Sequence, residues 1–199
     1  MIKAIGFDWG GVLVPSKPIM PGISEILGIP QKELYDFYLQ HNHKAGVGNM
    51  PYEDLWKFLL QELGHTDKTE KVLEHMSKQQ THELDLNMLE LVQELKSFDY
   101  KVGLLSNNTK EAGSRMRGVG LDKYFDTFLI SAEIGFQKPN PKAFEVLLSE
   151  LNVEPSELVF TDDSVPSLST SEQVGYTPIL FQGYEHFRQE LVKLGVLDN

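Results

Sequence analysis

The near-continuous apolar run at residues 2–7 is cut off by Asp8, Trp9 and the pair Gly10-Gly11. Such runs suit strands buried on both faces of a parallel sheet. A chain that opens this way is tightly constrained, because it delivers one carboxylate to the tip of its first strand and then turns at once. Four further short apolar runs follow at 101–105, 128–130, 158–160 and 178–181. Helical patterns separate them. Leu86, Leu89, Val92, Leu95 and Phe98 recur at helical spacing, as do Phe144, Leu147, Leu148 and Leu151. This alternation predicts an α/β fold, a doubly wound parallel sheet.

Between residues 14 and 85 the rhythm breaks. Tyr52, Leu55, Trp56, Leu59, Leu60 and Leu63 form an amphipathic stripe, and Leu34, Phe37 and Tyr38 a shorter one. Gly46-Val47-Gly48-Asn49 interrupts the helices between them. The segment reads as a small helical bundle inserted after the first strand. The expected division is a core of 1–13 plus 86–199 and an insert of 14–85.

Composition narrows the function. The 199 residues contain no cysteine, which removes disulfides, a thiol nucleophile and a cysteine-based zinc site. The net charge is −11 and no basic stretch stands out, so no nucleic-acid partner is expected. No apolar run approaches the length of a membrane span, and nothing at the start resembles a signal peptide. A cytoplasmic protein is the expectation. An anionic substrate would need locally placed cations, supplied by a lysine, a metal or helix N-termini.

In a doubly wound sheet, ligands bind outside the carboxyl ends of the strands. Three polar groups end the apolar runs: Asp8, Ser106 with Asn107, and Asp162 with Asp163. Asp8 is either a nucleophile able to attack phosphorus or a turn cap. Ser106 and Asn107 either hold phosphate oxygens or cap the next helix. Asp162-Asp163 are either turn aspartates or ligands of a Mg²⁺ ion, which would relieve their mutual repulsion. Lys138 lies just before Asn140-Pro141, which have the signature of an N-cap and first helical position. It is either a fixed cation or a surface lysine. Trp9 either lines a pocket or packs beneath the insert.

Taken in order, Asp8, Ser106, Lys138 and Asp162-Asp163 resemble the four motifs of the haloacid dehalogenase (HAD)-like hydrolase superfamily, and the resemblance spans the whole chain. It implies a Rossmann-like core with a mobile helical cap at 14–85. It implies a Mg²⁺-dependent phosphatase of a small phosphorylated metabolite, acting through an aspartyl phosphate. Asp8 would be the nucleophile and Lys138 the charge-neutralising group. Ser106 and Asn107 would bind substrate, and Trp9 is a further candidate. Asp8, the Gly10 carbonyl, Asp162 and Asp163 would hold the metal.

Two positions depart from that pattern. The family's phosphatases carry a second aspartate, the general acid and base, where this chain has Gly10. Glycine keeps the carbonyl but loses the proton donor. A cap residue or water then substitutes, or the leaving group needs little protonation, or the chain is a slow or non-catalytic binding protein. Ser167 replaces an Asn or Asp often found in related chains. Dehalogenation would tolerate Gly10, since halide leaves without a proton, but it has no use for paired carboxylates. Asp162-Asp163 thus favour phosphate over halide.

Overall fold

The computed structural model describes residues 1–15, 18–78 and 83–198. Its sheet has five parallel strands: β1 (Ala4–Phe7), β2 (Lys101–Ser106), β3 (Thr127–Ile130), β4 (Leu158–Asp162) and β5 (Thr177–Leu180). Their spatial order is β3-β2-β1-β4-β5, with β1 in the centre. All five apolar runs therefore became strands, within one or two residues. β1, whose four residues are all buried, is flanked on both edges, by β2 in register Ala4↔Lys101 and by β4 in register Ala4↔Leu158. Pro178, which cannot donate to a ladder, lies in β5, an edge strand.

Side chains alternate across the sheet. Ile5, Phe7, Val102, Leu104 and Val159 point to one apolar layer, covered by the helices Leu86–Ser97 and Tyr184–Lys193. Ala4, Leu105, Leu158 and Phe160 point to the other, covered by Pro141–Leu151. This is why the strand runs are continuous rather than alternating: both faces are dry. Asn140 caps its helix as its sequence context predicts, accepting from the Lys142 N–H at 3.0 Å. Asp85 caps Leu86–Ser97 in the same way, through the Met88 N–H.

The insert has a core of its own. Met20–Leu27, Gln31–His41, His43–Gly46, Tyr52–Glu62 and Thr69–Lys78 are helical. They bury Ile23, Leu34, Leu55, Trp56, Leu59 and Val72 among themselves. Residues 16–17 and 79–82, inside the expected insert, lie outside the described residues. The insert's neck is visible, however, where the Asp85 N–H donates to the Leu13 carbonyl at 2.9 Å. Val14, expected to open the insert, packs with the sheet layer instead.

The Gly46-Val47-Gly48 break seats the insert on the core. Gly48 has φ +76°, and a Cβ there would lie 2.1 Å from the Ala132 carbonyl oxygen. Gly64 has nearly the same φ, +73°, but a Cβ there meets nothing within 4 Å. Left-handed backbone costs a non-glycine residue about 1–2 kcal/mol. Gly64→Ala should cost about that much in urea unfolding, and Gly48→Ala clearly more. Equal losses would mean that this loop does not dock the insert.

Candidate active site

Asp8 follows β1 directly, and its N–H continues the sheet by donating to the Thr161 carbonyl at 2.9 Å. The side chain therefore emerges at the carboxyl end of the central strand. Ser106 ends β2 and Asp162 ends β4, the two neighbours of β1. Parallel register thus brings three separate sequence motifs to one place. Lys138 arrives from the loop ahead of Pro141–Leu151. It is buried, as are Ser106 and Asp162.

The lysine ties the carboxylates together. Its Nζ lies 2.7 Å from Asp8 Oδ1 and 2.6 Å from Asp162 Oδ2. Nζ also sits 5.1 Å from the centroid of the Phe160 ring. The second oxygen of Asp162 accepts from the Ser164 N–H at 2.8 Å. Asp8, Asp162 and Asp163 each offer an oxygen, and these oxygens lie within 4.8 Å of one another. Three carboxylates face one ammonium. Burial pushes the Asp8 carboxyl up to about 6, against the pull of Lys138 and with the push of Asp162. Burial and the Asp162 charge also raise Asp163. A hard divalent cation fits this all-oxygen donor set and would offset its uncompensated charge.

Asn107 does something the sequence did not suggest. A candidate for substrate binding, it braces the lysine loop with its side chain. Its Nδ2 donates to the Lys138 carbonyl at 2.8 Å, and its Oδ1 accepts from the Lys138 N–H at 2.7 Å. One amide thus fixes both sides of the Lys138 backbone.

Gly11, also not singled out beforehand, makes room for Asp163. Its φ is +76°, and a Cβ there would lie 2.0 Å from Asp163 Oδ2. Gly10 is different: a Cβ there meets nothing within 4 Å. A side chain at Gly10 would therefore have space.

A cleft of about 250 Å³ lies over these groups and reaches Ser106, Gly10, Ser164 and Ser167. A larger cavity of about 710 Å³ lies between insert and core. Trp9, Asn107 and Asn108 line both. Trp9 is 4% exposed and packed in the sheet layer while also bordering both cavities.

The family model of haloacid dehalogenase-like hydrolases matches residues 2–175. The chain belongs to this family. It is thus a HAD-like hydrolase. It is 28% identical over 210 residues to the D-ribitol-5-phosphate phosphatase of Bacteroides thetaiotaomicron, covering 96% of this chain and 97% of that one. It is 26% identical over 189 residues to a phosphorylated carbohydrates phosphatase of Thermotoga maritima, covering 87% and 82%. In fold it is similar to a HAD family enzyme of B. thetaiotaomicron solved in complex with magnesium and inorganic phosphate. The TM-score there is 0.71 at 18% identity, over 94% of this chain and 99% of that one. No helix among the described residues is long and apolar enough to cross a membrane.

The raised Asp8 pKa has a consequence for stability. Its folded value of about 6 lies above its ordinary value of 3.8, so the folded HAD-like chain holds the extra proton between them. Metal-free protein should lose this group's contribution as pH rises from about 4 through 6. In chelator, Asp8→Asn should therefore gain melting temperature relative to wild type between pH 5 and 7.5. Added Mg²⁺ should raise the wild-type Tm more at pH 7.5 than at pH 5, and Asp163→Ala should blunt that gain. Scanning calorimetry at the two pH values checks both.

Proposed function

We propose that this HAD-like hydrolase is a Mg²⁺-dependent phosphatase of a small phosphorylated metabolite, working through a phosphoryl group carried on Asp8. The observation that carries the reading is the Lys138 ammonium shared by Asp8 and Asp162, with Asp163 facing the same point. That arrangement keeps a carboxylate oriented at a strand tip beneath an anion-sized cleft. The phosphatase names of the two relatives support it, as does the magnesium and phosphate of the structural neighbour.

Asp8, Asp163 and the Gly10 carbonyl would hold the ion, beside an Asp162 already engaged by Lys138 and Ser164. Bound Mg²⁺ would supply charge neutralisation at the phosphoryl oxygens and the carboxylates. Asp8 attacks phosphorus through a carboxylate oxygen, and the phosphorus–oxygen ester bond breaks. The electron pair leaves on the ester oxygen. Lys138 holds Asp8 in line, and the Ser106 hydroxyl and its neighbouring backbone N–H groups bind phosphoryl oxygens. Asn107 holds Lys138 in place. Water then attacks the phosphorus, which frees Asp8 and releases inorganic phosphate.

The leaving oxygen also needs a proton. The cleft's only ionisable side chains among the described residues are Asp8, Asp162, Asp163 and Lys138. All four are committed to the charge cluster, and Gly10 offers none. A positioned acid typically contributes about 10²–10⁴-fold. The substrate's leaving group therefore departs well unaided, as an anomeric, acyl or aryl oxygen does. A 2-haloacid is the weaker reading, because displacement of halide has no use for the paired carboxylates Asp162 and Asp163, which suit a bound cation.

Single-turnover hydrolysis of substituted phenyl phosphates in Mg²⁺ should slow steeply as the leaving group's pKa rises. Gly10→Asp should flatten that slope, since space exists for the side chain. Asp8→Asn should reduce hydrolysis to background while leaving the fold intact. Retention of more than about a tenth of the activity would remove Asp8 from the mechanism, because losing a nucleophile costs far more than tenfold.

A further inference from the structure

We infer that the substrate's leaving group is a bulky, apolar one that fills the cavity between cap and core, and not a free polyol or sugar. The inference rests on the phosphatase reading and names the substrate class of that site. At about 710 Å³ the cavity lies well inside the range of small-molecule pockets, roughly 300–1,000 Å³. It joins the catalytic cleft through the shared wall of Trp9, Asn107 and Asn108, so a phosphate held at Asp8 would carry its ester body into it.

The wall chemistry decides the class. A polyol must exchange each hydroxyl's water for a protein partner, or lose binding. Here the polar groups are largely spent on one another. The Tyr38 ring stacks on Trp56 with centroids 5.7 Å apart, and Tyr52 meets the same Trp56 edge-on at 6.4 Å. Asn107 is committed to Lys138 at both ends of its amide. Asn108 Oδ1 accepts from the Thr109 N–H, and the Thr109 hydroxyl accepts from the Ala112 N–H. Among the described residues, the remaining polar side chains on the wall are Gln137, the exposed Arg115 and the indole of Trp9. Among the described residues no carboxylate lines the cavity, although the chain has 29 acidic residues. The rest offers apolar surface, with Leu84, Met116, Val119 and Leu121 on the core side and Ile19 and Met76 on the cap. Methionines adapt to irregular apolar shapes. Val119, which follows the helix Lys110–Gly118, borders the cavity and is 77% exposed, so a ligand there can cover it.

The test is a series of para-alkylphenyl phosphates, from methyl to hexyl, kept below micelle-forming concentrations. The alkyl group barely alters the phenol's pKa, so the series varies burial alone. In Mg²⁺, kcat/KM should rise by about three- to fourfold for each methylene that enters the cavity. Titration calorimetry with n-alkylphosphonates, which cannot be hydrolysed, should show Kd falling in parallel. Val119→Asp, on an exposed position the fold tolerates, should flatten both slopes. Flat slopes with phenyl phosphate still cleaved would overturn the inference and leave the phosphatase reading standing. Esters left uncleaved while longer phosphonates bind tighter would sink that reading and keep the apolar cavity. D-ribitol 5-phosphate outrunning the hexyl ester in kcat/KM would also overturn it.

Discussion

A lysine ammonium buried between two aspartates organises this molecule. Lys138 touches both Asp8 and Asp162, and each of those ends a strand adjacent to the other in the sheet. Unpaired burial of such a charge would be prohibitive, and so would burial of the two carboxylates without it. The sheet register, the capped helix after Asn140 and the Asn107 amide all serve to bring the ammonium to that point. The balance is deliberately incomplete. Asp163 adds a third carboxylate to the one ammonium, and burial raises the Asp8 pKa. A site left short of positive charge is one that gains by binding a cation, and through it an anion.

Much of this could be read from the chain. The five strands announced themselves as dry apolar runs, because a parallel sheet covered on both faces has no room for alternation. The residues ending them had to lie at one edge, which is why Asp8, Ser106 and Asp162-Asp163 converge. Asn140-Pro141 marked the helix that fixes the Lys138 loop. What was not legible involves contacts between distant segments. Asn107 looked like a ligand-binding group because Ser-Asn-Asn-Thr after a strand suits phosphate. Its actual partner lies 31 residues away, across a loop whose path no local pattern encodes. Gly11 looked like half of a glycine turn, yet its missing side chain is what admits Asp163. Val14 read as the first residue of the insert but packs with the sheet, since the neck closes one residue earlier, at Leu13 and Asp85. The cavity between insert and core depends on how the two dock, which periodicity cannot report.

Gly10 shapes the chemistry by subtraction. Space for a side chain exists there, so its absence is not imposed by packing. A site without a positioned acid and base favours esters that leave easily. In the proposed mechanism it also activates water poorly, so with an easily departing ester the second half of the reaction suffers more than the first. The phosphorylated enzyme should then build up during turnover instead of vanishing as fast as it forms.

That accumulation makes the central claim directly measurable. Rapid acid quench during turnover of an aryl phosphate in Mg²⁺, followed by peptide mass spectrometry, should find a phosphoryl group on Asp8. The adduct should be absent from Asp8→Asn and less abundant in Gly10→Asp. Sustained turnover with no phosphoryl group on Asp8 at any quench time, or with the group on another residue, would contradict the account.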